Sequence, residues 1–126
     1  MSWVAPTAQV FDSARVYGEA RVYGSAMVSG EGRVSSNADI AWVDSVGSGA
    51  PMTLHRTRTG WRINAGCVHF EAPTVAEVVR LCAEETQRQV DNPTHWSWAD
   101  GELREQWATQ VECALVFLAS MVKEER

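Results

Sequence analysis

The residues best able to do chemistry lie between positions 51 and 70. Arg56, Arg58 and Arg62 fall there without a single acidic neighbour, in a chain whose formal net charge is -5. Trp61, His55 and Asn64 are interleaved with them, and Ser45 and Ser48 come just before. Guanidinium groups grip phosphate oxygens bidentately, and an indole offers a face for a flat ring. Arg56, Arg58, Trp61, Arg62, Asn64 and His55 therefore form the candidate ligand-binding set, suited to a small anionic, aromatic ligand such as a nucleotide. The competing reading is a solvated hairpin whose Arg residues pair with Glu77, Glu84 and Glu85.

Other reactive residues carry less. His55, His69, His95 and Cys67 lack the spacing of a closed metal site. Cys67 has only His69 nearby and reads as a structural thiol rather than a nucleophile. Gly47-Ser48-Gly49 is followed by Ala50-Pro51 and a strand pattern, not by a helix N-terminus, so it is not a phosphate loop. No catalytic residue, metal ligand or cofactor is assigned, and the expectation is a protein that is not an enzyme.

Composition sets the frame that must position these groups. The chain has 126 residues, 45% hydrophobic and 21% charged, which suits one domain over 1–126. Residues 1–50 hold three Arg against five acids, and residues 71–126 hold five basic groups against eleven acidic ones. An acidic chain is not expected to bind nucleic-acid backbones in general. No apolar run approaches the roughly 18 residues of a membrane span, and no secretory leader is visible. Three unpaired-looking cysteines (Cys67, Cys82, Cys113) point to a reducing cytoplasm.

The first third repeats. Val4, Val10, Val16, Val22, Val28, Val34, Ile40 and Val46 recur every six residues without a gap. Small residues follow four positions later (Ala8, Ala14, Ala20, Ala26, Gly32, Ala38), and turn formers two positions later (Asp12, Gly18, Gly24, Gly30, Ser36). Period six matches neither a helix nor an ordinary strand. It fits a short strand plus a corner, with one aliphatic side chain pointing inward per rung.

These rungs, among them Val16-Tyr-Gly-Glu-Ala-Arg and Val22-Tyr-Gly-Ser-Ala-Met, resemble the hexapeptide repeat of left-handed parallel β-helices over residues 3–46. The resemblance implies three rungs per triangular coil, and so a prism on the order of 10–15 Å tall at about 4.8 Å per layer. So short a prism needs a cap and a partner. Arg15 and Arg33 should stack one coil above the other. Phe11, Tyr17 and Tyr23 should point outward, either into a subunit interface or as cover for the walls. The same family implies acyl transfer with a His base in a loop between coils, but His55, His69 and His95 all lie outside the repeat.

Met52–Arg58 and Trp61–Phe70 read as a hairpin over 52–70, with Thr59-Gly60 as a two-residue turn. That register sets Arg58 opposite Trp61 as a cation–π pair, and Gly66-Cys67 as a bulge. Thr74-Val-Ala-Glu77 is a capping box that opens a helix over 74–91, closed near Pro93, with His95, Trp96 and Trp98 in the connector. A second helix is expected over 100–124. It is apolar on more than one side, which puts Trp107 and Leu118 partly in an interface.

The fold class expected is α+β: a short left-handed parallel β-helix, a β-hairpin and two helices, assembled as a homo-dimer or trimer. The stretch from Arg56 to Phe70 resembles small phage and prophage accessory proteins. That resemblance implies a counter-defence protein of a bacterial host's cytoplasm. It would sequester a small nucleotide signal or block a bacterial defence protein such as a CRISPR effector. An acyltransferase-like enzyme and a structural assembly module are the alternatives.

Overall fold

The structure is a computed structural model and describes residues 2–46, 50–65, 68–91 and 101–125. The six-residue period forms six strands of two residues each: β1 (Trp3–Val4), β2 (Gln9–Val10), β3 (Arg15–Val16), β4 (Arg21–Val22), β5 (Met27–Val28) and β6 (Arg33–Val34). They pair in parallel as β1 with β4, β2 with β5 and β3 with β6, so that Trp3 meets Arg21, Gln9 meets Met27 and Arg15 meets Arg33. Two layers result: an outer one from β1–β3 and an inner one from β4–β6. Corners are made by Asp12, Gly18, Gly24 and Gly30, all at positive φ near 60°. That region is costly for most L-residues, which explains the glycines.

The layers do not go on to make the expected left-handed parallel β-helix. They remain three separate two-stranded parallel sheets, and the main sheet is antiparallel with four strands. The physical reason lies at Ser36. Its side chain caps a 3-10 turn at Asn37–Asp39, and Asp39 completes the capping box by returning to the backbone of Ser36. The chain then extends as β7 (Ile40–Val46). Ile40 and Val46, which should have been the seventh and eighth rungs, are the two ends of one seven-residue strand with no corner between them.

The four-stranded sheet runs in the order β10-β9-β8-β7. β8 is Ala50–Arg56, β9 Trp61–Ala65 and β10 Val68–Ala72. Thus the expected second hairpin strand is two strands, and the hairpin lies inside a larger sheet. The turn between β8 and β9 is four residues long. Thr57 N–H donates to Gly60 O at 2.8 Å, and Gly60 N–H donates to Thr57 Oγ1 at 3.0 Å. The longer turn moves the register by two: Arg56, not Arg58, lies opposite Trp61, and His55 lies opposite Arg62. The expected bulge at Gly66-Cys67 falls outside the described residues.

One face of this sheet is apolar and the other polar. Leu54, Trp61, Ile63 and Met52 pack against α1 (Val75–Asp91) and α2 (Gly101–Met121) through Val75, Val78, Cys82, Val111, Leu115 and Leu118. Thr74 opens α1: Glu77 N–H donates to Thr74 Oγ1 at 3.2 Å. Leu118 is fully buried in this core, which removes it from the expected interface, and Trp107 packs half-buried against the same core. A second small core lies inside the repeat, where Val22, Val28 and Val34 are all 0% exposed.

The corners make one prediction. A Cβ built on Gly18 would sit 2.6 Å from the Ser35 carbonyl oxygen, a backbone atom that cannot swing away. Gly18→Ala should lower the unfolding free energy by about 1–3 kcal/mol, read from the urea midpoint. Unchanged stability would mean that these corners are looser than described.

Candidate functional site

The candidate ligand set divides in two. His55, Arg62 and Asn64 lie on the polar face of the sheet, pressed against the inner layer. Arg56, Arg58 and Trp61 lie at the hairpin end.

The first group is buried because the inner layer ends in a free strand edge. Residues at the edge point alternate backbone groups away from the outer layer, and these need partners once buried. Side chains of the sheet supply them. Met27 N–H donates to Thr53 Oγ1 at 3.0 Å, and Ser29 N–H to His55 Nε2 at 3.3 Å. Asn64 Nδ2 donates to Met27 O at 2.9 Å, while Asn64 Oδ1 accepts from Ser29 Oγ and from Arg62 Nε at 3.0 Å each. Arg62 Nη1 then reaches Glu71 at 3.0 Å. Other carboxylates and an amide do the same work along the edge: Asn37 for Arg21, Asp44 for Ser25 and Asp39 for Ser35.

His55 is neutral in this seam. Its Nε2 accepts from Ser29, which puts the ring proton on Nδ1, where it faces Arg56 O at 3.0 Å. Burial pushes its pKa down to about 4. A histidine so placed is no general base for an external substrate. His69 lies on the edge strand β10 and is exposed. His95 and Cys67 lie outside the described residues. Burial also pushes the Cys82 thiol up to about 11, so it stays protonated at neutral pH.

The hairpin end is also tied down. Arg56 Nε donates to Asp39 Oδ1 at 2.8 Å, and its Nη2 donates to the carbonyls of Lys123 and Glu124 at 2.6 and 2.9 Å. The guanidinium carbon lies 4.4 Å from the centroid of the Trp61 rings. The cation–π partner of Trp61 is therefore Arg56. Trp61 itself is 1% exposed and has no free face for stacking. The acids that sequence reading offered as partners are engaged within α1: Glu77 with Thr74, Glu84 with Arg80 and Glu85 with Arg88. The partners that sequence reading missed are Asp39, Glu71 and Glu31. Asp39 had a readable signal, the Ser36-Asn-Ala-Asp39 cap; Glu71 had none, since its pairing depends on the β9–β10 register.

Arg58 differs. Its side chain is 67% exposed, with one long contact of 3.8 Å from Nε to Glu31. It lines a cleft of about 640 Å³ together with Tyr17, Arg33, Arg56, Thr57 and Glu124. A second groove of about 470 Å³ is lined by Arg21, Tyr23, Trp42, Phe117 and Met121, where Tyr23 meets Trp42 edge-on at 4.6 Å. Phe11, Tyr17 and Tyr23 are exposed, as are Trp3, Phe117 and Met121. Among the described residues no cluster of three metal-ligating groups occurs, and no helix is long and apolar enough to cross a membrane.

No family model, curated protein or solved structure matches the chain.

Two outcomes follow from the seam. His55 keeps a folded-state pKa near 4 against 6.5 unfolded, so the unfolded chain binds more protons between these values. Its stabilising effect is complete above pH 6.5 and is lost as pH falls toward 4, by up to about 3 kcal/mol. An NMR titration should find the His55 ring neutral until about pH 4; an inflection near 6.5 would contradict the burial. Separately, Arg56→Met takes a guanidinium away from the buried Asp39 and frees the segment that follows α2. It should cost about 3–5 kcal/mol by urea denaturation, and a loss below about 1 kcal/mol would count against the clamp.

Proposed function

We propose that the protein is a non-enzymatic binding module that works as a homodimer, joined through the open end of its outer layer. One observation carries this reading. Val4, Val10 and Val16 repeat the inward positions of Val22, Val28 and Val34, which are 0% exposed, yet Val4 is 39% exposed and the other two are half-buried. Equal residues in equal positions differ only in having a layer above them.

The backbone makes the same point. Trp3 and Ala5 N–H groups donate inward to Ala20 and Val22, and residues 9, 11, 15 and 17 repeat the pattern. The N–H and C=O groups of Val4, Val10 and Val16 therefore point away from the inner layer. An end that offers apolar side chains and strand edges together is best covered by the same end of a second copy, in an isologous two-fold contact. The inner edge has its side-chain cap, so only one end needs a partner.

In the phage setting that the sequence resemblance implies, such a dimer fits an inhibitor that docks on a bacterial defence protein. The groove at Tyr23, Trp42, Phe117 and Met121 would serve as its contact surface. The tied-down state of His55, Arg62 and Asn64 argues for docking rather than for enclosing a nucleotide between these residues.

Native mass spectrometry tests the dimer. The wild-type chain should run at twice the chain mass at micromolar concentration. Val4→Lys places a charge on an exposed edge residue, and Val10→Pro removes an outward N–H; each should yield the monomer. A wild-type monomer, or a dimer indifferent to both changes, would overturn the proposal.

A further inference from the structure

The cleft at the hairpin end is lined by residues other than Val4, Val10 and Val16, and its wall is unusual for an acidic chain. Arg33 Nη1 donates to the carbonyls of Ser13 and Gly32 at 2.9 and 2.8 Å, which fixes its guanidinium while leaving Nε and Nη2 uncommitted in these bonds. Arg56 is fixed likewise by Asp39 and the Lys123 and Glu124 carbonyls, with Nη1 outside those contacts. Arg58 projects beside them, largely exposed. Three guanidinium groups thus border one cleft, two of them already held in place.

Two of the nearby carboxylates are turned to other tasks. Asp39 holds Arg56, and Glu124 Oε2 accepts from Val75 N–H at 3.3 Å at the start of α1. Glu31 stands 3.8 Å from Arg58 Nε. Meanwhile Arg15 lies in register with Arg33 on the neighbouring strand. Tyr17, 42% exposed, supplies an aromatic wall that the buried Trp61 cannot. The volume lies within the range of small-molecule sites, roughly 300–1,000 Å³.

We propose that this cleft binds a small phosphorylated compound bearing a flat ring, with Arg33 and Arg58 on the phosphate and Tyr17 against the ring. Arg56 fixes the floor and adds its charge. The site differs from the one read off the sequence: Tyr17 and Arg33 enter, and His55, Arg62 and Asn64 leave.

Isothermal titration with two probes, adenosine monophosphate and inorganic pyrophosphate, tests the site in low salt. Both should bind the wild-type chain saturably. Arg58→Gln, at an exposed position, should weaken both by about tenfold while leaving the urea midpoint unchanged. Tyr17→Leu should weaken the nucleotide several-fold and leave pyrophosphate alone. Absence of saturable binding for both probes overturns the site, as does binding indifferent to Arg58→Gln and to Arg33→Gln. Binding of pyrophosphate alone overturns the ring contact. The titration repeated on the Val4→Lys chain separates loss of this site from loss of the dimer.

Discussion

A β-strand edge cannot be buried bare, and most of this molecule follows from how the inner layer's edge is satisfied. Strands of two residues contribute few hydrogen bonds of their own, so each outward N–H and C=O weighs heavily. Thr53, His55, Asn64, Asn37, Asp44 and Asp39 stand in for the next layer, one polar atom at a time. That substitution lets a parallel stack end on an antiparallel sheet whose strands do not continue its hydrogen-bond ladder. It also dictates a sheet with one polar buried face and one apolar face, because the first must meet backbone edges and the second must meet two helices.

The same constraint settles the protonation state of the seam. A cationic His55 would set a ring N–H against the Ser29 N–H, so the neutral ring is the one that fits. Arg62 is matched within the seam because Asn64 and Glu71 accept from its guanidinium. Arg56 does similar work at the rim, drawing Asp39 and the segment that follows α2 onto the sheet. Arg62 in the seam and Arg56 at its rim act as cross-links, and the donors so engaged are unavailable to ligands.

Local signals in the sequence translated well and long-range ones did not. The positive-φ corners at Asp12, Gly18, Gly24 and Gly30 stand where the period of six puts turn formers, because a corner's conformation is set by the residue itself. Thr74 and Glu77 mark the start of α1 for the same reason. The left-handed β-helix was an extrapolation: the aliphatic period continues through Ile40 and Val46, but the period alone cannot tell a rung from an alternating strand residue. The Ser36–Asp39 cap was the evidence against it. The hairpin register slipped by two because turn length was inferred from Thr59-Gly60, whereas Thr57 closes a four-residue turn. Of the candidate site, the basic cluster was visible, but whether an arginine faces solvent or a carbonyl depends on residues as distant as Lys123 and Glu124, 67 and 68 positions from Arg56.

The two ends of the parallel stack thus have opposite fates, one capped by side chains and one open, and that asymmetry is the centre of the account. Amide hydrogen exchange read by NMR at low and at high protein concentration tests it most directly. Met27, Ser29 and Ser35 should exchange slowly at both concentrations, while Val4, Val10 and Val16 should exchange fast when dilute and slowly when concentrated. Fast exchange at Met27 and Ser29, level with Val10, would contradict it.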